Sequence, residues 1–157
     1  MSDRGGAIRR GLSNAAVYSL VQRLLGGQAV RRRLLADYVR PVGGERILDL
    51  GCGPGDILEL LRQVDYLGID LSPRYVEAAR RRFGERGRFL CADVRSLSPG
   101  AYERFDAIIA VGVLHHLDDR DAVGMTRTAA RLLAPGGRFV TIDPGFTDEQ
   151  PRTARWL

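Results

Sequence analysis

Residues Ile47–Asp56 read ILDLGCGPGD, and this stretch decides how the rest of the chain is organised. Its first four residues are mostly apolar, as in a buried parallel strand. Three glycines follow at alternate positions, Gly51, Gly53 and Gly55, and apolar residues then recur at helical spacing at Ile57, Leu58, Leu60 and Leu61. A strand, a glycine loop and a helix in this order let the backbone approach a ligand, because glycine has no Cβ. The dinucleotide motif G-x-G-x-x-G would need a third glycine at position 56, where this chain has aspartate.

The length and composition are those of an ordinary globular domain. The chain has 157 residues, of which 45% are hydrophobic and 27% charged, enough for one domain with a sizeable core. No apolar run approaches the roughly 20 residues of a membrane helix, and no signal-peptide core stands at the start. We therefore expect no membrane partner.

The charge of the chain is moderately basic. Its 24 basic residues are all arginine and outnumber 19 acidic residues, with clusters at Arg31–Arg33 and Arg80–Arg82. Arginine clusters neutralise phosphates in nucleic-acid complexes. Neither cluster is interleaved with aromatic residues or belongs to a nucleic-acid motif, so we interpret both as solvated helix faces. Nucleic acid is not the expected partner.

The two cysteines, Cys52 and Cys91, have neither metal-ligand spacing nor a secretory context. Free thiols in a reducing cytoplasm are therefore the expected state. No cluster of histidines and carboxylates has ligand spacing either, so we expect no metal site.

Two helices are predicted before the glycine loop. Ser13 can cap the first, whose apolar face comprises Val17, Leu20, Val21, Leu24 and Leu25. The second is predicted from about Gln28 to Val39, with inward residues Val30, Leu34, Leu35 and Tyr38. We assign residues 1–40 to an N-terminal helical extension that packs on the domain, and residues 41–157 to the core.

Acidic residues follow the next two strands. Asp65–Ile69 predicts strand two, and Asp70 ends it, roughly 20 residues beyond the glycine loop. A carboxylate there can accept hydrogen bonds from both ribose hydroxyls of a nucleotide, or it can cap the following turn. Arg88–Cys91 predicts strand three, and Asp93 beyond it can accept from an exocyclic amino group or form a turn. Because open α/β sheets bind ligands beyond their strand ends, we favour the ligand role for both.

Two further strands complete the pattern. Phe105–Val111 is apolar enough for a central strand, and a helix capped by Asp118 or Asp119 follows it. Arg138–Ile142 predicts strand five, and a further helix begins at about Asp148. This alternation predicts an α/β fold, a doubly wound and mainly parallel Rossmann-like sheet of five strands, with the N-terminal helices packed on it.

Five motifs occur in order along almost the whole chain: LDLGCGPGD, GIDLS, CADV, FDAIIAVGVLHHL and LLAPGGRFV. Together they resemble the class I methyltransferases, which use S-adenosylmethionine (SAM). The stretch LSNAAVYSLVQRLLG resembles the N-terminal helix of a group of small bacterial members. The resemblance implies methyl transfer from SAM to a small-molecule acceptor.

The resemblance also implies a set of cofactor-binding residues. The amino-acid part of SAM is expected against the glycine loop, at Gly51, Cys52, Gly53 and Gly55. Asp49 is expected to hold this loop or the ammonium group. Asp70 is expected at the ribose hydroxyls, Leu71 on the adenine, and Asp93 at the adenine amino group with Val94 beside it. The methionine and sulfonium region is expected at the end of strand four, against Val111, Gly112 and Val113.

Two adjacent histidines are the candidate catalytic residues. Methyl transfer is an in-line displacement at an activated carbon, so much of the catalysis is positioning and exclusion of water. An acidic acceptor can still need a base, and His115 or His116 lies where the acceptor should approach. The alternative, which the sequence favours, is a structural pair, with one ring hydrogen-bonded in its loop and the other lining the cofactor pocket.

The carboxyl end departs from the family. Family members continue past strand five with a helix and two antiparallel strands, whereas this sequence stops inside ARWL, Ala154–Leu157. We therefore expect a truncated chain with a largely complete SAM pocket and an incomplete acceptor site. The apolar edge of strand five would also be uncovered, which invites self-association.

Other functions remain open at this point. A SAM- or nucleoside-binding module without turnover, or an inactive fragment of an enzyme, is the main alternative to an active methyltransferase. A nicotinamide-dependent oxidoreductase is disfavoured by Asp56. An amino-directed nucleic-acid methyltransferase commonly has an N/D-P-P-[FYW] motif after strand four, where this chain has Gly112-Val113-Leu114-His115.

Overall fold

The structure is a computed structural model, and it describes residues 27–98 and 100–143. The predicted helices that begin at Ser13 and Asp148 lie outside these residues. The main elements, in chain order, are helix α1 (Gly27–Arg33) with a π-helical turn after it (Leu34–Val39), β1 (Arg46–Leu50), β2 (Asp65–Asp70), α2 (Pro73–Phe83), β3 (Arg88–Cys91), β4 (Phe105–Val111), α3 (Asp119–Leu132) and β5 (Leu133–Ile142).

The five strands form one parallel sheet in the order β3-β2-β1-β4-β5. The predicted five-stranded Rossmann-like sheet is confirmed. After β1, the chain adds β2 and then β3 on one side of β1. It later adds β4 and then β5 on the other side of β1. The carboxyl end of β1 is therefore the point where the strand order reverses, which is where open α/β sheets bind ligands.

Each face of the sheet has its own apolar core. Ile47 of β1 packs on one face with residues of α2 and the π-helical turn. Leu48 and Leu50 pack on the other face with residues of α3. Since all three side chains are fully buried, β1 is covered on both sides and reads as a continuous apolar run.

The two long helices begin at the predicted caps. The Ser72 hydroxyl accepts a hydrogen bond from the amide of Tyr75, and Pro73 is the first residue of α2. The Asp118 carboxylate accepts one from the amide of Asp121 at the start of α3. Both side chains satisfy an amide that the first helical turn leaves free.

The helix predicted after the glycine loop is wrong in length. Only a 3₁₀ turn, Asp56–Glu59, forms there, although Ile57, Leu58 and Leu61 are buried as expected. The guanidinium of Arg86 donates hydrogen bonds to the carbonyls of Leu58 and Leu61, at 3.0 and 3.2 Å. These carbonyls are thus satisfied from another element, without the amides of a continuing α-helix.

The inward face predicted for residues 28–39 is partly wrong. Leu34 and Leu35 are buried, but Val30 and Tyr38 are exposed and Val39 takes the inward place. The π-helical turn explains the difference at Tyr38 and Val39, because its extra residue per turn shifts the phase of every later side chain.

A clamp from β5 holds this widened turn. The guanidinium of Arg138 donates to the carbonyls of Val39 and Arg40 and pairs with both carboxylate oxygens of Glu45, at 2.9 and 2.7 Å. Hydrogen bonds from Arg138 lower the pKa of Glu45 despite its partial burial. The turn after α1 is therefore tied to β5.

β5 begins earlier than predicted. It starts at Leu133, which pairs with Phe105, and its register then shifts so that Arg138 pairs with Ala107. Residues 134–137 form a bulge within the strand and stand opposite Asp106 alone. Among the described residues, β5 is an edge strand, and self-association through it stays a prediction.

Within residues 27–98 and 100–143, no helix is long and apolar enough to cross a bilayer.

The glycine loop packs tightly at Gly55, which gives a stability prediction. Gly55 has a φ of +79°, and a Cβ there would lie 2.9 Å from Cε2 of Phe83. Gly44 is the matched control, since its φ is +87° but a Cβ would meet nothing within 4 Å. We expect Gly44→Ala to lose about 1–2 kcal/mol from backbone strain, and Gly55→Ala about 1–3 kcal/mol more from overpacking. Urea unfolding measures both, and equal losses would contradict the packing argument.

Candidate functional site

A small cavity of about 40 Å³ lies under the glycine loop at the carboxyl edge of the sheet. It brings together many of the residues expected to bind the cofactor: Asp49, Gly51, Cys52, Gly53 and Val111. Arg31 of α1 and Asp56 of the 3₁₀ turn also line it. The cavity has room for a small charged group rather than for a whole nucleotide.

The glycine loop is fixed by backbone hydrogen bonds to β2. The amides of Gly51 and Cys52 both donate to the carbonyl of Ile69, at 2.8 and 3.0 Å. A Cβ on Gly51 would lie 2.6 Å from Cγ2 of Val113, so the loop and the end of β4 meet at a distance that only glycine permits. Gly53 faces open space, where a ligand can approach its backbone.

Asp70 joins the glycine loop to the end of β2. Its Oδ2 accepts from the amide of Gly53 and its Oδ1 from the amide of Ser72, each at 2.8 Å. Asp70 therefore forms the turn that sequence reasoning gave as the alternative to a ligand role. Each carboxylate oxygen can accept a second hydrogen bond, so both roles are compatible. Leu71 beside it is 68% exposed.

Asp93 is already engaged by a neighbour. Its carboxylate accepts from the backbone amide of Arg95 at 2.8 Å and from Nε and Nη2 of the same guanidinium. These hydrogen bonds lower the pKa of Asp93. Arg95 also pairs with Asp121 of α3. Val94 begins the turn that Asp93 caps. Acceptance of an adenine amino group by Asp93 stays a prediction, and the bound Arg95 competes with it.

Asp49 is a buried carboxylate, only 3% exposed. The hydroxyl of Tyr66 donates to its Oδ2 at 2.6 Å. Burial raises the pKa of Asp49 to about 7, although the Tyr66 hydrogen bond and the charge of Arg31 act in the opposite direction. Burial likewise raises the pKa of Tyr66 and of the Cys52 thiol, so both stay protonated at neutral pH. Asp49 is the group at this site that changes charge near neutrality.

Arg31 is a site residue that the sequence analysis missed. Its side chain is 11% exposed, and Nη2 lies 3.8 Å from Oδ2 of Asp56. Its Nη1 is buried and has no hydrogen-bond partner among the described residues. The interpretation of Arg31–Arg33 as a solvated cluster is wrong for this residue, while Arg32 and Arg33 are exposed. The available signal was helical phase, since Arg31 precedes the inward residues Leu34 and Leu35 by three and four positions.

The two histidines lie in the 3₁₀ turn Leu114–His116 beyond β4. Their ring centroids are 3.8 Å apart. Nδ1 of His115 lies 2.9 Å from Oδ1 of Asp143, just past the end of β5. A Cβ on Gly112 would lie 3.6 Å from Cε1 of His115, so the ring stands next to the end of β4. Asp143 is a second residue that the sequence analysis missed.

In the part of the chain that the structure describes, no three His, Cys, Asp or Glu side chains are grouped in a way that could hold a metal ion. Both cysteines are free thiols, with Cys52 buried and Cys91 exposed.

The protonation of Asp49 gives a pH prediction. An aspartate in an unfolded chain has a pKa of about 3.9, whereas Asp49 in the fold has a pKa of about 7. The folded state therefore holds a proton that the unfolded state has lost. Its contribution to stability is fully present below about pH 4 and is lost as pH rises to about 7, at about 1.4 kcal/mol per unit. Asp49→Asn removes this component. The free energy of unfolding of the variant, measured with urea, should therefore decline less steeply as pH rises. Parallel pH profiles would contradict the assignment.

Comparison with known proteins agrees with this geometry. Residues 47–137 match the family model described as "Methyltransferase domain". A demethylmenaquinone methyltransferase of Thermus thermophilus is 37% identical over 136 residues, which is 80% of this chain and 60% of that protein. A probable tRNA methyltransferase 9B of Mus musculus is 38% identical over 98 residues, which is 62% of this chain and 21% of that protein. The chain thus spans less than two thirds of the length of either relative.

Solved structures resemble the described fold. A TehB-like SAM-dependent methyltransferase of Corynebacterium glutamicum has a TM-score of 0.67 and 26% identity, over 82% of this chain and 72% of that one. The glycopeptide N-methyltransferase MtfA, solved with SAM bound, has a TM-score of 0.58 and 26% identity, over 69% of this chain and 51% of that one. The glycine loop, the carboxylate at the end of β2 and these matches lead to one conclusion: the chain belongs to the class I SAM-dependent methyltransferases.

Proposed function

We propose that this chain forms the SAM site of an enzyme that transfers the SAM methyl group to a small-molecule acceptor. One observation carries the proposal. Within residues 27–98 and 100–143, a buried guanidinium nitrogen of Arg31 has no hydrogen-bond partner, and it borders a cavity that also contains the Asp49 carboxylate and the glycine loop. A buried donor without an acceptor is unfavourable by about 1–3 kcal/mol, so this nitrogen fits a ligand that brings an acceptor.

The amino-acid end of SAM has the complementary charges. Its carboxylate is the acceptor that Arg31 lacks, and its ammonium group matches the buried carboxylate of Asp49. Gly53 supports this placement, because its backbone is open to a ligand on the side where a Cβ would meet nothing. Gly51 and Cys52 border the same cavity, whereas Gly55 serves to pack the loop on Phe83.

The nucleoside end of SAM belongs along the carboxyl edge of β2 and β3. Asp70 keeps acceptor capacity on both oxygens for the ribose hydroxyls, and the exposed Leu71 offers an apolar surface to adenine. In this arrangement Val94 lies beside the base. Asp93 accepts the adenine amino group only when Arg95 releases it, and Asp121 is already in place to hold the guanidinium.

The end of β4 belongs at the reacting centre. SAM supplies an electrophilic methyl group on a positively charged sulfur. Val111 is the last residue of β4, and Gly112 and Val113 follow it. The three residues form a partly buried wall beside the glycine loop. Their part is to hold the donor in line and to exclude water.

A small acceptor fits the charges better than a nucleic acid does. The arginine clusters are largely neutralised at close range, because Arg31 and Arg82 pair with Asp56 and Arg81 pairs with Glu77. The motif of amino-directed nucleic-acid enzymes is also missing after β4. The tRNA relative makes nucleic acid the alternative to test. We further propose a bacterial, cytoplasmic enzyme, on the free thiols and the type of N-terminal sequence.

A non-catalytic SAM-binding module is the second candidate, because the chain spans only part of its relatives. Formation of S-adenosylhomocysteine separates the two. A chain that binds SAM but releases none of this product with any acceptor offered, while a longer version does, is a binding module by itself.

Calorimetric titration with SAM, S-adenosylhomocysteine and NAD tests the cofactor. We expect both adenosyl compounds to bind, NAD to give no response, and Asp70→Ala to abolish binding, because the variant removes the ribose acceptor and frees the glycine loop. Binding of NAD in place of SAM would contradict the proposal.

Arg31→Gln tests the carboxylate contact. Loss of a charged hydrogen bond of about 1.5–3 kcal/mol should weaken SAM about 10- to 100-fold. Decarboxylated SAM is the matched ligand, and its affinity should not change. Arg32→Gln is the matched control, since that side chain is exposed on the same helix. Equal effects on SAM and its decarboxylated form would show that Arg31 acts only through the fold.

A further inference from the structure

The carboxylate of Asp143 is held in place by hydrogen bonds from two elements. Its Oδ1 accepts from the backbone amide of His115 at 3.2 Å, and its Oδ2 accepts from the hydroxyl of Thr141 at 2.9 Å. The His115 ring contacts the same Oδ1 through Nδ1, at 2.9 Å. Burial opposes ionisation of Asp143, but these hydrogen bonds outweigh it and lower its pKa. Asp143 is therefore an anion with a fixed orientation.

This anion decides which nitrogen of His115 carries the proton. An ionised carboxylate can only accept, so Nδ1 of the neutral ring must donate, and the free lone pair then lies on Nε2. Within the described residues, nothing hydrogen-bonds Nε2. The side chain is about one third exposed, at 32%. The ring therefore presents a base, not a donor, at the end of β4.

We propose that Asp143 and His115 form a base dyad, in which His115 removes the proton of a hydroxyl acceptor and Asp143 is its positioning residue. The inference rests on the proposed methyl transfer and narrows its acceptor to an oxygen that bears a proton. A structural pair, which the sequence favoured, needs only a hydrogen bond that holds the loop in place. The hydrogen bond from the His115 backbone amide to the Asp143 carboxylate already holds the loop, so the ring contact is extra.

The dyad accounts for the proton and the positive charge that the methyl transfer has to move. The acceptor oxygen forms a bond to the methyl carbon, the carbon–sulfur bond breaks with its electron pair left on sulfur, and the hydroxyl proton moves to Nε2 of His115. The positive charge thus passes from sulfur to the imidazolium ring, next to the Asp143 anion that stabilises it. The proton then leaves to water.

His116 has a different place in this scheme. Its ring lies against His115, with centroids 3.8 Å apart. Asp143 from the end of β5 and His116 from the same turn are the titratable groups in contact with the His115 ring in the part of the chain described. His116 stays neutral in the scheme, because a second positive charge beside the imidazolium would be unfavourable.

The first test needs no substrate. Two-bond ¹H–¹⁵N spectra of the 157-residue chain report which imidazole nitrogen is protonated. We expect His115 to carry its proton on Nδ1 in the wild type. Asp143→Ala removes the acceptor that keeps the proton on Nδ1, so the tautomer with the proton on Nε2 should become populated. Asp65→Ala is the matched control, because it removes a carboxylate that pairs with Arg46 and Arg88 far along the chain. A wild-type proton on Nε2, or no change in Asp143→Ala, overturns the proposal.

The second test measures turnover with catechol as the hydroxyl probe and aniline as the amine probe, from the release of S-adenosylhomocysteine. We expect release with catechol, and a kcat about 10²- to 10⁴-fold lower in His115→Gln with unchanged SAM affinity. Asp143→Asn should lower kcat with little change in KM and shift the pH profile of kcat. Loss of a residue that only holds the loop would not shift this profile. His116→Gln should lower kcat less than His115→Gln does.

The outcomes separate this inference from the function on which it rests. A folded wild type that does not bind SAM overturns the proposed function, and the dyad with it. SAM binding with no release from catechol overturns the hydroxyl acceptor, and release that His115→Gln leaves intact overturns the base. Where Asp143→Ala or Asp143→Asn does not fold, the wild-type tautomer and the His115→Gln rate decide.

Discussion

Burial of β1 on both faces is the constraint on which this structure depends. Ile47, Leu48 and Leu50 are completely buried between two apolar cores, so the residue among them, Asp49, has to be buried as well. A buried carboxylate is unfavourable unless it is protonated or paired. The Tyr66 hydroxyl and the charge of Arg31 partly meet this need. The central strand of the sheet thereby builds a polar site inside an apolar core.

The site keeps some of its polar groups unsatisfied or only partly satisfied. Arg31 has a buried nitrogen with no partner in the part of the chain that the structure describes, and Asp70 has spare acceptor capacity on both oxygens. Side chains of this kind lower the stability of the free protein, and a ligand with complementary groups recovers the loss. Asp93 is the opposite case, because Arg95 occupies it fully. Affinity for a nucleotide at this edge therefore depends on which protein contacts it must displace.

β5 connects the two ends of the site. At its middle, Arg138 clamps the π-helical turn that follows α1, and α1 presents Arg31 to the cavity. Just past its end, Asp143 orients the ring of His115. One strand thus supports both the side where the amino-acid end of SAM is proposed to bind and the side where an acceptor is proposed to react. Removal of Arg138 would act on the first side without touching the second.

The sequence by itself determined the sheet, its glycine loop, the caps of α2 and α3, and the place of Asp70. These features depend on neighbouring residues, since apolar periodicity, glycine and capping side chains act within a few positions. Only the tertiary structure decided the burial of Arg31, the phase of the turn after α1 and the pairing of His115 with Asp143, residues 28 positions apart. Such contacts depend on strand order and register, which bring distant parts of the chain together. A local pattern cannot specify them, because it does not contain the partner.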